Sequence, residues 1–257
     1  MRVDADKHPG SLPAARQPDI WRSGATDPLT TLAADGGSVF ARGPWKWQYA
    51  VPPAVVGLAL LGLSSLWGVP ALALAGFVAW FHRDPDRTAD GPGVVTPADG
   101  KVSVIREEDD GRVRVGVFMN VHDVHVNRAP LDGTVEDVTH EPGGHRPAFD
   151  KESEHNERVR VETDEWTLVL IAGAFARRIH PYVEAGDDLA RGDRLGHISF
   201  GSRADVVLPP EYDREDVVVA SGETVQAGET VLARRAGYEE GEFGGGEVGE
   251  TVLADDE

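Results

Sequence analysis

The sequence predicts a mainly β protein, built as a flattened β-sandwich of the barrel-sandwich kind and preceded by a helical membrane hairpin. Two observations carry this prediction. The run from Tyr49 to Phe81 contains no charged residue. After Arg87, short runs of β-branched residues alternate with turns that contain glycine and aspartate, and long helical periodicity is absent. The first observation indicates membrane helices, and the second indicates a domain made of strands.

Composition restricts the function before any motif is considered. The formal net charge of -19 would repel nucleic acid phosphates, so we expect no nucleic acid partner. An acidic, lysine-poor surface is typical of proteins that work at high salt, which predicts a halophilic source. The chain has no cysteine, which excludes disulfides, thiolate catalysis and cysteine-ligated metals. The few lysines are Lys7, Lys46, Lys101 and Lys151.

Four segments follow one another along the chain. Residues 1–44 contain few large apolar side chains and predict a flexible leader. Residues 45–81 form the hydrophobic hairpin, and residues 82–236 form the β domain. Residues 237–257 carry only acidic charges among glycines, which predicts a disordered acidic tail.

The hydrophobic run is too long for one straight membrane span. As a single helix it would extend about 50 Å, against roughly 30 Å of hydrocarbon, and Gly68-Val69-Pro70 interrupts it near the middle. Basic residues flank both ends, with Arg42 and Lys46 before the run and Arg83 and Arg87 after it. We therefore expect a re-entrant hairpin on the cytoplasmic side of the cell membrane. A single tilted span and a buried pair of soluble helices are the alternatives.

The β domain is predicted from strand-like runs and from one tight turn. Residues 197–209 read as a strand, a turn at Gly201-Ser202 and a second strand. Residues 183–196 and 219–232 echo each other as paired glycine–acid turns, a pattern found in biotinyl and lipoyl carriers. Neither repeat contains the lysine that a carrier would present. The other predicted runs are Lys101–Ile105, Arg112–Phe118, Arg158–Glu162, Trp166–Ile171, Asp216–Ala220 and Thr230–Arg235.

Three polar clusters precede Ser202 in addition to a histidine pair. Phe81–Arg87 contains an Arg-Asp-Pro motif, which could equally be a basic anchor at a membrane surface. Thr96–Gly100 places Asp99 in a turn before a strand, although Asp-Gly is also a common structural turn pair. His155–Arg158 stands at the entrance to a strand or at a polar hairpin tip.

The histidine pair is the more specific signal. His122 and His125 are three residues apart in an otherwise apolar, strand-like run, and buried imidazoles are costly unless they have partners. On a strand, a spacing of three sends side chains to opposite faces. No His-Glu-x-x-His pattern is present, so acid/base chemistry is favoured over metal binding and we predict no metal.

Taken together, these motifs resemble the phosphatidylserine decarboxylase family in its short, archaeal-type form. The resemblance covers residues from about Val55 to Arg234, and its motifs occur in the expected order. The motifs are the Arg-Asp-Pro segment, Pro-Ala-Asp-Gly-Lys, His-Asp-Val-His-Val-Asn-Arg-Ala-Pro, Asn-Glu-Arg, Ile-Ala-Gly-x-x-Ala-Arg-Arg-Ile and Phe-Gly-Ser-Arg. The long leader and the acidic tail depart from the family pattern without touching these motifs.

The resemblance implies a self-processing enzyme. Family members are made as a proenzyme that is cut between a glycine and a serine, here Gly201 and Ser202. The serine becomes a covalent pyruvoyl group, which is the enzyme's cofactor. The resemblance assigns His125, oriented by Asp99, to the deprotonation of Ser202, as in an Asp-His-Ser relay. We assign His122 ourselves to substrate handling and to protonation of the decarboxylated Schiff base.

The implied reaction converts phosphatidylserine, or archaetidylserine in a haloarchaeon, into the ethanolamine lipid and CO₂ through a Schiff base to the pyruvoyl group. The implied partners are the serine phospholipid and the lipid bilayer. The chains 1–201 and 202–257 are expected to stay associated, and a homodimer is compatible with this picture. Two other classes stay open at this point: a membrane-tethered serine hydrolase that uses Ser202, and a non-enzymatic biotinyl- or lipoyl-like binding module. The sequence does not identify the residues that bind the lipid headgroup.

Overall fold

The computed structural model describes residues 39–144, 156–174, 176 and 178–235. The predicted acidic tail, most of the predicted leader and His155 lie outside the described residues. A π-helical turn, Lys46–Ala50, leads into helices α1 (Val51–Gly62) and α2 (Gly68–Phe81). The strands are β1 (Val94–Val95), β2 (Gly100–Glu107), β3 (Val113–Met119), β4 (Val126–Arg128), β5 (Gly133–Glu141), β6 (Arg158–Thr163), β7 (Thr167–Ala172), β8 (Ile179–Pro181), β9 (Asp188–Leu189), β10 (Arg194–Ile198), β11 (Ser202–Val207), β12 (Thr224–Val225) and β13 (Val231–Ala233).

The strands form three antiparallel sheets around one core. The large sheet has the order β12-β2-β3-β11-β7-β6-β5-β9, a second sheet has the order β4-β10-β8, and β1 pairs with β13. Buried apolar side chains from all three sheets belong to a single hydrophobic cluster. The mainly β part of the prediction is therefore confirmed.

The burial patterns of β3 and β7 fit the position of β11 in the middle of the large sheet. In β3 every second residue, Val113, Val115 and Val117, is fully buried in the core. All six residues of β7 are buried, as expected for a central strand that is covered on both faces. β11 lies between β3 and β7, and its first residue is Ser202. The sheet therefore holds both flanks of this strand.

The predicted strand, turn and second strand around Gly201 are confirmed by β10 and β11. Two other expectations were wrong. Residues 216–220 form no strand, because a 3₁₀ turn occupies Arg214–Asp216 and only an isolated bridge follows. The histidine pair does not lie on one strand either. The chain turns between Asn120 and Asp123, where the Asp123 N–H donates to the Asn120 carbonyl at 3.0 Å. Strand alternation therefore does not determine the directions of the two histidine side chains.

The hydrophobic run forms the expected pair of helices, but the break precedes the predicted position. The helices are separated by residues 63–67, and Pro70 lies in the first turn of α2, where its missing N–H leaves no bond unmade. Gly57 and Gly68 let the helices pack closely, because a Cβ at Gly68 would lie 2.5 Å from the Gly57 carbonyl oxygen. In the described part of the chain no helix combines the length and apolarity needed to cross a membrane.

A buried ion-pair network ties the end of α2 to the sheets. The Asp84 carboxylate, three residues after the helix, accepts hydrogen bonds from Arg128 Nη2 at 2.9 Å and from Arg194 Nε at 2.5 Å. Arg128 belongs to β4 and Arg194 to β10. A buried carboxylate held on two sides by guanidinium groups fixes the distance between the elements that carry them. The Arg-Asp-Pro motif therefore contributes a structural carboxylate as well as basic groups near the hairpin.

Candidate active site

The turn between β10 and β11 holds an unusual backbone conformation. Phe200 has φ +70 and Gly201 has φ +87. A bulky residue with positive φ costs about 1–3 kcal/mol and persists only where surrounding contacts hold it. The Phe200 ring stacks on Phe81 with centroids 4.9 Å apart and meets Tyr49 edge-on at 5.5 Å. Aromatic pairs contribute about 0.5–1.5 kcal/mol each, which is enough to offset the strain.

The Gly201 carbonyl is held by a residue at the end of the neighbouring strand, β7. The Gly201 oxygen accepts a hydrogen bond from the Gly173 N–H at 3.0 Å. Gly173 directly follows β7, whose last residue, Ala172, is the register partner of Ser202. A Cβ on Gly173 would lie only 2.7 Å from the Gly201 oxygen. The close approach of the two backbones therefore requires glycine at position 173.

Ser202 has a fully buried side chain beside this carbonyl. Its Oγ donates to the thioether of Met119 at 3.7 Å, and Nδ2 of Asn127 approaches the same sulfur at 3.8 Å. The Asn127 Oδ1 is buried without a hydrogen-bond partner. A weak sulfur acceptor leaves the hydroxyl easy to redirect, and the Asn127 oxygen is able to accept a hydrogen bond.

His125 supplies a neutral imidazole with a free lone pair. Its Nδ1 lies 3.0 Å from the Asp123 carbonyl, which can only accept, so Nδ1 carries the proton and Nε2 does not. Nε2 is buried without a partner. Burial lowers the pKa of His125 to about 3, and the nearby His82, Arg83 and His122 act in the same direction. The ring is therefore neutral at neutral pH and has a free lone pair on Nε2, while its burial makes it a weaker base than an exposed histidine.

Asp99 does not orient the His125 ring as we expected. The Asp123 carbonyl does so, because it binds Nδ1 directly. Asp99 instead accepts bonds from Arg87 Nη2 at 2.9 Å, from the Ala227 N–H at 2.8 Å and from the Val124 N–H at 3.4 Å. Burial raises the pKa of Asp99, while the two N–H donors and Arg87 lower it. Asp99 thus positions the loop that carries His125, and its role in chemistry stays a prediction.

His122 lies apart from this group. Its side chain is 70% exposed, with Nε2 3.4 Å from an Asp123 carboxylate oxygen, and its carbonyl accepts from Arg83. His122 and His125 do lie in different environments, since the first is exposed and the second is buried. The turn, and not strand alternation, causes this difference. The role assigned to His122 stays a prediction.

Further histidines, which the sequence analysis did not select, line the same region. The His82 Nδ1–H donates to the Val78 carbonyl at 2.8 Å, so its Nε2 can accept from Ser199 Oγ at 3.1 Å. His197 Nδ1 lies 2.8 Å from the Tyr182 hydroxyl. Burial lowers the pKa of His82 to about 4 and that of His197 well below its usual range. His82 and His197 are therefore buried and neutral at neutral pH.

Gly173 and Phe81 are functional candidates that the sequence analysis also missed as individual residues. Both lie inside motifs that it did single out, the Ile-Ala-Gly motif and the Phe81–Arg87 cluster. Their contacts join positions far apart in sequence, so nothing local marked them. Membership of a motif was the only available signal.

The arrangement suits attack by Ser202 on its own preceding carbonyl. It combines a buried hydroxyl with a carbonyl oxygen already bound by an N–H donor. Nε2 of the neutral His125 imidazole has no hydrogen-bond partner, so it is not bonded to Ser202 Oγ in this structure. The strained backbone at Phe200 further favours reaction at this peptide. These residues fit a covalent carbonyl cofactor made from residue 202. Among the described residues no group of three or more histidine, aspartate or glutamate side chains is arranged to hold a metal ion.

Comparison with known proteins places these residues in a family context. The family model described as phosphatidylserine decarboxylase matches residues 74–233. A protein of Halobacterium salinarum named "Putative archaetidylserine decarboxylase proenzyme" is 79% identical over 196 residues, which cover 76% of this chain and 100% of the relative. The phosphatidylserine decarboxylase proenzyme of Streptomyces griseus is 46% identical over 213 residues, 80% of this chain and 98% of the relative. A Methanococcoides burtonii protein with the same name as the first is 43% identical over 187 residues, 70% of this chain and 86% of the relative.

Proposed function

The chain belongs to the phosphatidylserine decarboxylase family, and from this premise we propose that Ser202 becomes its pyruvoyl group by self-cleavage after Gly201. As a member it is a decarboxylase that converts a serine phospholipid into the ethanolamine lipid and CO₂, with a covalent pyruvoyl cofactor. The hydrolase and carrier alternatives are therefore set aside. The observation that carries the proposal is the bond from the Gly173 N–H to the Gly201 carbonyl, beside the buried Ser202 hydroxyl.

The proposed cleavage begins when Ser202 Oγ turns from Met119, passes its proton to Nε2 of His125 and attacks the Gly201 carbonyl carbon. The Gly173 N–H stabilises the oxyanion that forms. Collapse breaks the amide bond and gives an ester, and His125 returns the proton to the freed nitrogen of residue 202. A base then removes the Cα proton of residue 202, the bond between Cβ and the ester oxygen breaks, and residues 1–201 leave as a carboxylate. Water then displaces the nitrogen as ammonia and leaves the pyruvoyl group.

Once formed, the pyruvoyl group supplies a carbonyl that takes up the substrate amine and accepts electrons when CO₂ leaves. The chain's own residues prepare the site for this chemistry. Asn127 Oδ1, unpartnered and close to Ser202 through Met119, is an acceptor suited to a substrate N–H. We propose that His122 donates the proton that replaces CO₂. Its ring is exposed to solvent and lies on the turn leading to His125.

Strand pairing supports our proposal that the two chains stay associated after cleavage. The small chain would begin with β11, which pairs on one side with β3 and on the other with β7. Its strands β12 and β13 pair with β2 and β1. Every described strand of the small chain is therefore hydrogen-bonded to a strand of the large chain, within one shared core.

Exposed apolar side chains support our proposal that the hairpin lies in the bilayer. They lie on α1, on α2 and on the connection between them, and neighbouring exposed apolar side chains of this kind are typical of a membrane or protein contact. The basic flanks predict the cytoplasmic face of the membrane. Because the Halobacterium relative is named for archaetidylserine, we propose that lipid as the substrate. The exposed apolar residues include Val55, Val56, Leu58, Leu63, Leu66, Trp67, Val69 and Leu74.

The function is tested with Ser202→Ala and a control, Ser103→Ala. Ser103 lies in the same large sheet, on β2, where its hydroxyl donates to the Gly116 carbonyl at 3.2 Å, and it does not follow Gly201. We expect wild type and Ser103→Ala to release CO₂ from archaetidylserine in mixed micelles, and Ser202→Ala to remain one chain without activity. Full activity of the uncut Ser202→Ala protein would rule out the mechanism.

The two histidines should separate cleavage from turnover. His125→Ala and Asp99→Ala should accumulate uncut chain, because one removes the base and the other releases the loop that carries it. His122→Ala should still cleave but should decarboxylate about 10²-fold more slowly or worse. A gel of the three variants beside the CO₂ assay measures both steps. Efficient cleavage by His125→Ala would show that another group is the base.

The oxyanion contact is tested with two glycine substitutions of equal crowding. In Gly173→Ala the new Cβ would meet the Gly201 oxygen at 2.7 Å, and in Gly196→Ala it would meet the His180 oxygen at 2.6 Å. Both should lower the thermal midpoint, but only Gly173→Ala should slow self-cleavage, by about 10²–10³-fold, because it displaces the reacting carbonyl from its donor. Cleavage time courses at matched fractions of folded protein provide the measurement. Equal slowing by the two variants would contradict the role of Gly173.

A further inference from the structure

Phe81 links the helical hairpin to the candidate active site. It is the last residue of α2 and is fully buried. Its ring lies 4.3 Å from the His125 ring and 4.9 Å from the Phe200 ring, measured between centroids. One side chain of the hairpin therefore contacts both the proposed base and the residue that precedes Gly201.

The contact with Phe200 bears on the geometry of the reacting peptide. In the described part of the chain only Ser64 shares with Phe200 a positive φ at a residue other than glycine. Such a conformation reverts to an ordinary one unless packing holds the side chain. Phe81 stacks on the Phe200 ring at an interplanar angle of 29°, while Tyr49 and His82 meet it edge-on. Phe81 thus provides the stacked face of this packing.

The position of Phe81 is itself fixed. Asp84, three residues later, is held by Arg128 of β4 and Arg194 of β10. His82, the next residue, bonds to Ser199, one residue before Phe200. These contacts set the end of α2 against the strands that lead into and out of the site, so the ring cannot shift without breaking buried polar contacts.

We propose that Phe81 is a positioning residue for self-cleavage, which holds Phe200 in its left-handed conformation and shields His125 from water. The hairpin would then serve maturation of the enzyme in addition to any membrane contact. The inference rests on the proposed cleavage at Gly201. It assigns to the hairpin a role in a reaction whose bonds form and break entirely within the β domain.

Shielding of His125 gives the proposal a signature that a merely structural role would lack. The groups that face this ring are His82 and Arg83 after α2, His122 on the adjacent turn, His197 of β10 and the Asp123 carbonyl. Burial keeps the pKa of His125 near 3, so the wild-type ring stays neutral down to mildly acidic pH. If water replaces the Phe81 ring, the pKa of His125 rises toward its ordinary value. The base then becomes protonated, and inactive, as the pH falls through about 6.5.

The test compares Phe81→Leu with Phe77→Leu in the full-length chain. The control is the same substitution one turn earlier on α2, at a side chain that is 39% exposed and whose ring lies 6.3 Å from the Phe81 ring, measured between centroids. Each chain is made by cell-free synthesis, and cleavage is followed on gels after synthesis stops, between pH 5.5 and 8. We expect Phe81→Leu to cleave about tenfold more slowly at pH 8 and to slow further below pH 6.5, while wild type and Phe77→Leu stay fast and pH-independent.

A glycine at position 200 tests the conformational part of the proposal. Glycine adopts positive φ without strain, so the backbone of Phe200→Gly should keep this conformation without the Phe81 contact. Adding Phe81→Leu to Phe200→Gly should therefore slow cleavage at pH 8 much less than Phe81→Leu does alone. If Phe81→Leu fails to fold by circular dichroism, Phe81→Met replaces it, because methionine fills a similar volume without a ring.

Three results would overturn the inference. Phe81→Leu could cleave as fast as wild type, it could slow to the same extent as Phe77→Leu, or its cleavage could show no added pH dependence. A wild-type chain that never cleaves is a different result, since it would overturn the proposed function and this inference with it.

Discussion

The hydrogen bond from the Gly173 N–H to the Gly201 carbonyl is the contact on which the rest of the site depends. It forms where β7 ends and β11 begins, in the middle of the large sheet, so the backbones that make it are held on both sides. Gly173 must be glycine to allow it, and Phe200 must keep a positive φ. The sheet thus presents one peptide carbonyl to a fixed donor, with a buried hydroxyl on the next residue. Rigid elements on either side of a reactive bond give the precision that catalysis requires.

Sequence patterns predicted the elements whose signals are local. The uncharged run gave two helices, and the stretch around Gly201 gave a strand, a turn and a strand. Short strands such as β8 and β9 were missed, because two or three residues carry no measurable alternation. The valine-rich residues 216–220 misled the prediction, because strand propensity cannot show whether a partner strand runs beside them. The order of strands in the sheets is set by long-range pairing and could not be read from local runs.

The candidate site was predicted as a set of residues but not as an arrangement. Motifs in register identified Ser202, His125 and Asp99. The carboxylate of Asp99 was expected on the imidazole, whereas a backbone carbonyl two residues from His125 binds that ring. A sequence does not show which backbone carbonyl a side chain will bind. It also does not show contacts such as that of Phe81 with Phe200, which joins residues more than a hundred positions apart. The burial of His125, which lowers its pKa, is likewise a property of the folded chain alone.

The central claim is that the chain converts its own Ser202 into a pyruvoyl group. Intact-mass spectrometry of the purified, denatured protein tests this most directly, because it reports the cut and the modification together. We expect two chains, one ending at Gly201 and the other starting at residue 202. The second should be lighter by the mass of one ammonia than a chain that begins with serine. A single chain of full mass, or a small chain that begins with unmodified serine, would contradict the account.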